Sequence, residues 1–103
     1  MTWTAANARQ TYSIPYWSDG YVDVDDSGRL LVQPLGPGGP RLPLPEVLAN
    51  AEAQGLKLPI LLRFSDVLGH RLGRMQAAFA KAMAECDYAG RYTAVYPIKV
   101  NQN

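Results

Sequence analysis

The chain has 103 residues, of which 48% are hydrophobic and 18% charged, a composition typical of a globular domain rather than a disordered segment. This length excludes a complete (β/α)8 barrel, which needs roughly 250 residues. The formal net charge of +1 gives no electrostatic reason to expect binding to nucleic acid or to an anionic membrane. The single cysteine, Cys86, excludes an intrachain disulfide and fits a reducing compartment.

The sequence does not have the pattern of a targeting or membrane-spanning segment. Residues 1–10 are polar and alanine-containing, without the apolar core of a signal peptide, and we expect them to form a loose leader. The longest apolar stretch, residues 58–62, contains Pro59 and is far too short to span a bilayer. We therefore expect a soluble cytoplasmic protein, with neither nucleic acid nor membrane among its partners.

Residues 14–33 have the pattern of β structure. Residues 21–25 alternate apolar and acidic side chains, which is the two-residue period of a half-buried strand, and residues 30–32 supply a second apolar run. The intervening residues 25–28, Asp-Asp-Ser-Gly, favour a turn, because Asp and Ser side chains bond nearby backbone groups and Gly accepts positive φ. The pattern predicts a β hairpin.

A loop and a short helix are predicted next. Residues 34–43 contain four prolines and three glycines, which favours a loop that separates two structural units. Its glycines alternate with prolines instead of opening a helix, which argues against a phosphate-binding loop. Residues 45–54 are expected to form a helix, with Pro45 in the first turn, Gly55 after the last turn, and an apolar stripe. That stripe consists of Leu44, Val47, Leu48 and Ala51.

The second half of the sequence predicts a strand, a long helix and a strand, a pattern that suggests α/β architecture. Residues 59–64 have the pattern of a buried strand, and residues 92–99 form the last predicted strand. Between them, apolar side chains recur three or four residues apart, which predicts a helix from Ser65 to between Asp87 and Gly90 with one face buried. These apolar residues are Leu68, Leu72, Met75, Phe79, Met83 and Cys86.

Most of the chemistry-bearing side chains have an ordinary structural interpretation. His70 lies off the apolar stripe and has no Cys or carboxylate at ligand spacing, so we expect it to be solvated. Cys86 is expected to be a small core residue, and Trp3 and Trp17 to be packing residues. Turn formation and a solvated strand face explain the acidic cluster without a metal. This cluster comprises Asp19, Asp23, Asp25 and Asp26.

Lys99 stands at the end of the apolar predicted strand. A lysine at a strand end is ordinarily a solvated surface residue. Active sites of α/β barrels, however, lie at the C-terminal ends of the strands, where this lysine would fall. A lysine held there is partly desolvated, which favours the neutral amine that reacts with an aldehyde. Position alone leaves both interpretations open.

The run Tyr96-Pro97-Ile98-Lys99-Val100-Asn101-Gln102 resembles the cofactor-lysine signature of the biosynthetic arginine decarboxylases. The resemblance covers most of the chain from Tyr12 on, although Asn103 follows where the family usually has Gln or His. The other matching segments are Tyr12-Ser13-Ile14, Trp17, Gly20-Tyr21, Asp23-Val24-Asp25, Gly28, residues 58–64, Asp66-Val67-Leu68, Arg71, Phe79, Ala82, Tyr88 and Gly90-Arg91-Tyr92.

This resemblance implies an alanine racemase-like protein of fold type III, with a TIM-type α/β barrel and a β domain built from both chain ends. Residues 1–33 would be a leader and a hairpin of the β domain, and residues 34–43 the Pro/Gly loop. Residues 44–91 would be the helix, strand and long helix that lead to the barrel. Residues 92–103 would be the first barrel strand, which carries the cofactor lysine.

The resemblance also implies an activity. Members of this family are pyridoxal phosphate-dependent lyases that convert L-arginine to agmatine and CO2 in polyamine and spermidine biosynthesis. They use magnesium and form homo-oligomers. Lys99 is the one site residue carried over, as both the catalytic and the cofactor-binding residue. No residue is assigned as a metal ligand.

We expect the chain to be an N-terminal fragment of such an enzyme. Alone it should be inactive and marginally stable or prone to aggregate, because one barrel strand cannot enclose a cofactor. Two alternatives stay open. One is a related decarboxylase that acts on ornithine, lysine, diaminopimelate or carboxynorspermidine. The other is a small non-catalytic α/β domain that binds a protein partner with Lys99 exposed, although its apolar last strand would then be an unprotected edge.

Overall fold

The computed structural model describes residues 2–99. It is a small mixed α/β structure with a three-stranded antiparallel sheet in the order β1-β2-β3. The chain divides into a first compact unit, Met1–His70, and a second, Arg71–Asn103. The elements in chain order are α1 (Ala5–Thr11), α2 (Ile14–Ser18), β1 (Val22–Val24), β2 (Leu30–Val32), β3 (Leu42–Pro43), α3 (Leu44–Ala53) and α4 (Ser65–Glu85).

The N-terminal residues form helix α1, so the prediction of a loose leader was wrong. The Thr4 hydroxyl accepts a hydrogen bond from the Asn7 backbone N–H at 3.2 Å. The Asn7 side-chain oxygen in turn accepts one from the Thr4 backbone N–H at 3.0 Å. This reciprocal capping box satisfies backbone donors at the helix start. An asparagine in place of the usual Glu or Gln made the signal hard to see in the sequence.

The predicted hairpin is confirmed. Val22 pairs with Val32 and Val24 with Leu30 across the antiparallel strands β1 and β2. In the turn, Gly28 has φ 79°, a conformation that glycine adopts without strain. The β interpretation was wrong only for the start of the segment, where Pro15 lies in the first turn of the short helix α2.

A small apolar core lies within the first unit. Ala8, Ile14 and Val24 form its centre, which brings together α1, α2 and β1. Tyr21 and Leu31 are also buried. Among the residues that the structure describes, however, no large side chain is less than 2% exposed. The first unit therefore has a core of limited depth, as expected for a unit of this size.

The third strand and helix α3 follow the hairpin. Strand β3 lies at the end of the predicted Pro/Gly loop and pairs with β2, with Val32 opposite Leu42. The short helix is confirmed, and Gly55 follows its end with φ 87°. The four residues of its predicted apolar stripe are all half-buried, so this stripe faces the rest of the first unit only in part.

The long helix is confirmed as α4, but the two flanking strands are not. Residues 59–64 and 92–99 are irregular, so neither predicted strand is formed within the described residues. A strand requires hydrogen bonds to a neighbouring strand. Within residues 2–99, neither segment has such a neighbour. The long helix itself ends close to the predicted point, and Asp87 just beyond it has φ 49°.

The apolar side of α4 is exposed over most of its length. We call Leu72, Met75, Phe79, Met83 and Cys86 the α4 apolar face. Leu72, Met75 and Phe79 are 47–49% exposed, and Met83 is half-buried. Cys86 is exposed, so the prediction of a buried core cysteine was wrong. The helical periodicity of the sequence predicts that these apolar side chains share one side of α4. Burial also requires a second surface that packs against that side, and periodicity carries no information about it.

Candidate functional site

Lys99, the predicted cofactor lysine, is the last residue that the structure describes. It lies in the second unit, where residues 91–97 are irregular and Ile98 and Lys99 form a turn. The other predicted signature residues after it, Val100, Asn101 and Gln102, lie outside the described residues. The local structure of the candidate site therefore comes from the segment that leads to Lys99.

One aromatic contact fixes the start of that segment. The Tyr92 ring stacks on the Phe79 ring with 4.1 Å between the centroids and 8° between the planes. Such ring pairs add to the free energy of simple burial. Beyond this contact the side chains point into solvent, since Val95 is 85%, Tyr96 71% and Ile98 72% exposed.

The Lys99 side chain is exposed as well. Its apolar neighbours Tyr96 and Ile98 do not shield it, because they are themselves exposed. The partial desolvation expected for a lysine at a barrel strand end is therefore not found within the described residues. What the segment offers chemically is an accessible primary amine that follows a run of apolar side chains. A primary amine is the group that forms a covalent bond with an aldehyde, so this residue fits pyridoxal phosphate.

The first unit contains an ionic cluster that sequence analysis missed. Arg9 Nε lies 2.6 Å from Asp23 Oδ1, and Arg9 Nη2 donates to the Val24 carbonyl oxygen at 2.7 Å. Arg41 Nη2 lies 3.4 Å from Asp23 Oδ2. The hydrogen bond from Arg9 lowers the pKa of Asp23, and the same bond raises the pKa of Arg9. Asp23 is thus paired rather than solvated, and it ties α1 to β1.

Asp25 has a different role in the hairpin turn. Its carboxylate accepts the backbone N–H of Ser27 at 3.0 Å and that of Arg29 at 2.9 Å. The backbone bond from Arg29 is the main cause of the lowered pKa of Asp25, and the Arg29 side chain adds to it. Arg29 also reaches Glu46 at 2.9 Å. These contacts confirm the turn interpretation of Asp25 and link the hairpin to α3.

His70 is half-buried and hydrogen-bonded, so the prediction of a solvated histidine was wrong. The Tyr21 hydroxyl and His70 Nδ1 lie 2.6 Å apart, and the two rings meet edge to face at 79°. Tyr21 is only 7% exposed. The pair spans 49 positions in the sequence, so no spacing rule could have found it. Its role in the first unit is to join the start of α4 to the hairpin region.

The first unit also has an apolar cavity of about 510 Å³ between α1, α2 and the hairpin. Trp3 and Trp17, expected to be packing residues, form part of its wall and are 63% and 59% exposed. Among its lining residues only Tyr12 is titratable, so the cavity offers shape rather than acid–base chemistry. The full lining is Trp3, Ala8, Tyr12, Ile14, Trp17, Val24, Gly28 and Leu30.

Within residues 2–99, no group of three or more His, Cys, Asp or Glu side chains could hold a metal ion. Over the same range, no helix is both long and apolar enough to cross a membrane.

Comparison with known proteins gives whole-chain matches, although no family model matches. Biosynthetic arginine decarboxylase of Xylella fastidiosa (strain M23) is 61% identical over 103 residues, which is 100% of this chain. Proteins of the same name from Xanthomonas campestris pv. campestris and Chromobacterium violaceum are 60% and 45% identical over 98% and 99% of the chain. The chain spans 16% of the length of each of these curated relatives. Over its full length, the chain is therefore similar to the N-terminal part of the biosynthetic arginine decarboxylases, which confirms the resemblance found in the sequence.

Proposed function

We propose that this chain is the N-terminal part of a lyase that decarboxylates L-arginine to agmatine and CO2 and binds pyridoxal phosphate covalently at Lys99. The observation that carries the proposal is the 45–61% identity, over 99–100% of the chain, to relatives named biosynthetic arginine decarboxylase. The seven-residue run around Lys99 supports the choice of that lysine.

We also propose a pathway, a metal requirement, an oligomeric state and a cellular location for the longer protein. A role in polyamine and spermidine biosynthesis, a magnesium requirement and a homo-oligomeric assembly are supported by the sequence resemblance alone. A cytoplasmic location is also part of the proposal, and the single, free Cys86 suits a reducing compartment.

The proposed fold is the alanine racemase-like one. The hairpin of β1 and β2 would belong to the β domain, and residues 92–99 would become the first barrel strand. In a barrel every strand pairs with a neighbour on each side. The apolar and exposed side chains of Val95 and Ile98 suit a strand of that kind, because its neighbours would cover them. The missing strand partners would lie in the larger part of the protein that this chain does not span.

The chemistry divides between cofactor and chain. When bound, pyridoxal phosphate supplies an electron sink for the carbanion that remains when CO2 leaves. Lys99 contributes Nζ for covalent attachment, and its exposed position in the described residues leaves that amine accessible. Once the proposed barrel closes around the segment, the side chains of Tyr96 and Ile98 would help to exclude water from the lysine. Exclusion of water favours the neutral, nucleophilic form of an amine.

The decisive experiment uses the longer protein of which this chain is proposed to be the N-terminal part. Agmatine and CO2 are measured after addition of arginine, with ornithine, lysine, diaminopimelate and carboxynorspermidine as competing substrates. We expect arginine to be preferred and Lys99→Ala to lower the turnover by about 10³-fold or more. The matched control is Lys57→Ala, which removes another exposed lysine and should leave turnover unchanged. Preference for another amino acid would reassign the substrate.

A second readout does not depend on turnover. Borohydride is added to the protein with pyridoxal phosphate, and the modified lysine is located by peptide mapping. The cofactor mass should appear on the peptide that contains Lys99 and disappear in Lys99→Ala. A modified lysine elsewhere, together with normal activity of Lys99→Ala, would contradict the assignment. The 103-residue chain assayed alone should give only background decarboxylation.

A further inference from the structure

The α4 apolar face has the geometry of a surface built to be covered. At 100° per residue, its four members within α4 fall within an arc of about 80° on the helix surface, and Cys86 directly follows the last helical residue. Leu72, Met75 and Phe79 nevertheless remain about half exposed. A contiguous exposed apolar patch, unlike single scattered apolar residues, marks an interaction site.

The opposite side of the same helix has a different character. Ala77 and Ala84 lie roughly half a turn away from the apolar face, and Lys81 lies beside them. All three are exposed, and Lys81 forms only a loose ion pair with Glu85 at 3.8 Å. A helix with one apolar side and one small, polar side packs on one body and leaves its other side in water.

The apolar face already holds one ring from its own chain. Tyr92 stacks flat on Phe79 and covers one side of it. Residues beyond Tyr92 are as apolar and as exposed as the face itself, with Val95 at 85% and Ile98 at 72%. A body that covered the whole face would therefore also contact the Tyr92 ring and the residues that follow it. The contact between Tyr92 and Phe79 therefore favours a partner surface that packs on the residues after α4 as well as on the helix.

The length of the relatives indicates which polypeptide could pack on the α4 apolar face. The chain matches only 16% of the length of its relatives, and that match lies at their N-terminal end. Most of a protein of that kind is therefore polypeptide that follows the matched segment. Contact within one polypeptide has a high effective concentration and needs no separate partner.

We propose that the α4 apolar face is an intramolecular docking surface, covered in the longer protein by polypeptide that follows this chain. This inference rests on one part of the proposed function, that the chain is the N-terminal region of a longer protein. It does not rest on the identity of the substrate or on Lys99.

Cys86 provides a native probe of the α4 apolar face, and Ala77→Cys provides a matched probe on the opposite side. Trypsin separates the two thiols, because cleavage after Arg74, Lys81 and Arg91 places them on residues 75–81 and 82–91. The longer protein carrying Ala77→Cys is treated with iodoacetamide, and both peptides are quantified by mass spectrometry. The same measurement in urea gives the intrinsic reactivity of each thiol.

In the native longer protein, we expect Cys86 to be alkylated about tenfold or more slowly than the introduced thiol, because a covered thiol reacts only during local opening. In urea the two rates should become similar. Equal rates in the native protein would overturn the proposal. Protection of Cys86 that appears only as protein concentration rises would also overturn it, in favour of a second copy.

A charge introduced on each side gives an independent test. Phe79→Glu in the longer protein should lower the yield of soluble protein, whereas Ala77→Glu should leave it unchanged, because burial of an unpaired carboxylate is costly. If both variants remain soluble with unchanged alkylation of Cys86, the apolar face is not covered. A protein with a protected Cys86 but no decarboxylation of arginine would contradict the proposed function alone.

Discussion

The two units of the chain differ in how far their apolar side chains are buried and how closely their charged side chains are paired. In the first unit, Ile14, Val24 and Leu31 are buried, and Arg9 forms a close ion pair with Asp23. In the second unit, the α4 apolar face is exposed over most of its length. Both have clear hydrophobic patterns, so the pattern alone does not decide burial. The difference is whether the matching surface occurs within the described residues.

Sequence distance explains much of this contrast. The hairpin is closed by a four-residue turn in which Asp25 bonds the backbone locally, so β1 and β2 find each other at little entropic cost. The predicted strands at residues 59–64 and 92–99 have no such near partner. Parallel strands of a barrel are joined by long crossover connections and pair only after a larger part of the chain has come together.

The largest expected effect comes from truncating the same residue type in the two units. Leu31 is 3% exposed, so Leu31→Ala should lower the free energy of unfolding by about 2–4 kcal/mol. Leu72 is 47% exposed, and Leu72→Ala in the 103-residue chain should cost less than about 1 kcal/mol. Urea unfolding followed by circular dichroism measures both values. Equal losses would show that the α4 apolar face is already buried in this chain.

The Tyr21 and His70 pair tests how far polar contacts stabilise the first unit. Tyr21→Phe removes the hydroxyl that lies 2.6 Å from His70 Nδ1 and leaves both rings in place. We expect a loss of about 1–2 kcal/mol, because a half-buried ring nitrogen loses a close hydrogen-bond partner. Tyr16→Phe is the matched control, since Tyr16 is 87% exposed and should tolerate the change. Indistinguishable unfolding midpoints for the two variants would rule out a stabilising role for the bond.

The ionic cluster of the first unit predicts a specific pH dependence. The pKa values of Asp23 and Asp25 lie below their ordinary value of 3.8. A carboxyl group with a lowered folded-state pKa stabilises the fold above the unfolded value, and this contribution disappears as the pH falls through the folded value. The unaltered chain should therefore lose stability below about pH 4.

Asp23→Asn isolates one of these carboxyl groups. Near neutral pH it should cost about 1 kcal/mol, because Arg9 loses a charged hydrogen-bond partner. The cost should shrink as the pH falls, since the carboxyl of the unaltered chain then becomes protonated. Thermal unfolding across this pH range measures the difference. A cost that stays constant at acid pH would contradict the assigned cause of the lowered pKa.

The sequence contained the information for local features. The turn at Asp25 to Gly28 was readable because short polar side chains and glycine satisfy a tight turn by themselves. The position of α4 was readable from periodicity, and Gly55 marked the end of α3. Helix α1 was missed because its capping box uses Asn7, a residue outside the usual pattern.

Features that depend on distant contacts were not readable. The Arg9 and Asp23 pair and the Tyr21 and His70 pair join residues 14 and 49 positions apart, and no local rule connects them. The apolar stripe predicts burial of Cys86, but the side chain is exposed. The stripe specifies which side of the helix a residue faces and not whether another surface packs against that side. For Lys99, strand position left two interpretations, and the seven-residue run rather than any physical pattern favoured the catalytic one.

The smallest expected effect is in the second unit, at its exposed ion pair. Lys81 and Glu85 are 3.8 Å apart, with side chains 77% and 64% exposed. Lys81→Gln keeps the helix propensity and removes the charge, so the free energy of unfolding should change by no more than about 0.3 kcal/mol. Arg9→Gln is the comparison, because it breaks three hydrogen bonds to Asp23 and Val24.

Salt separates the two ion pairs further. Water and ions surround the Lys81 and Glu85 charges, so any remaining attraction should vanish at high ionic strength. Arg9 and Asp23 are 36% and 24% exposed and bonded at 2.6 Å, so most of their contribution should persist in salt. Urea unfolding of Lys81→Gln and Arg9→Gln at low and high salt measures both effects. If Lys81→Gln proved as costly as Arg9→Gln, the exposed side of α4 would be a packing surface too, and the contrast between its two sides would fail.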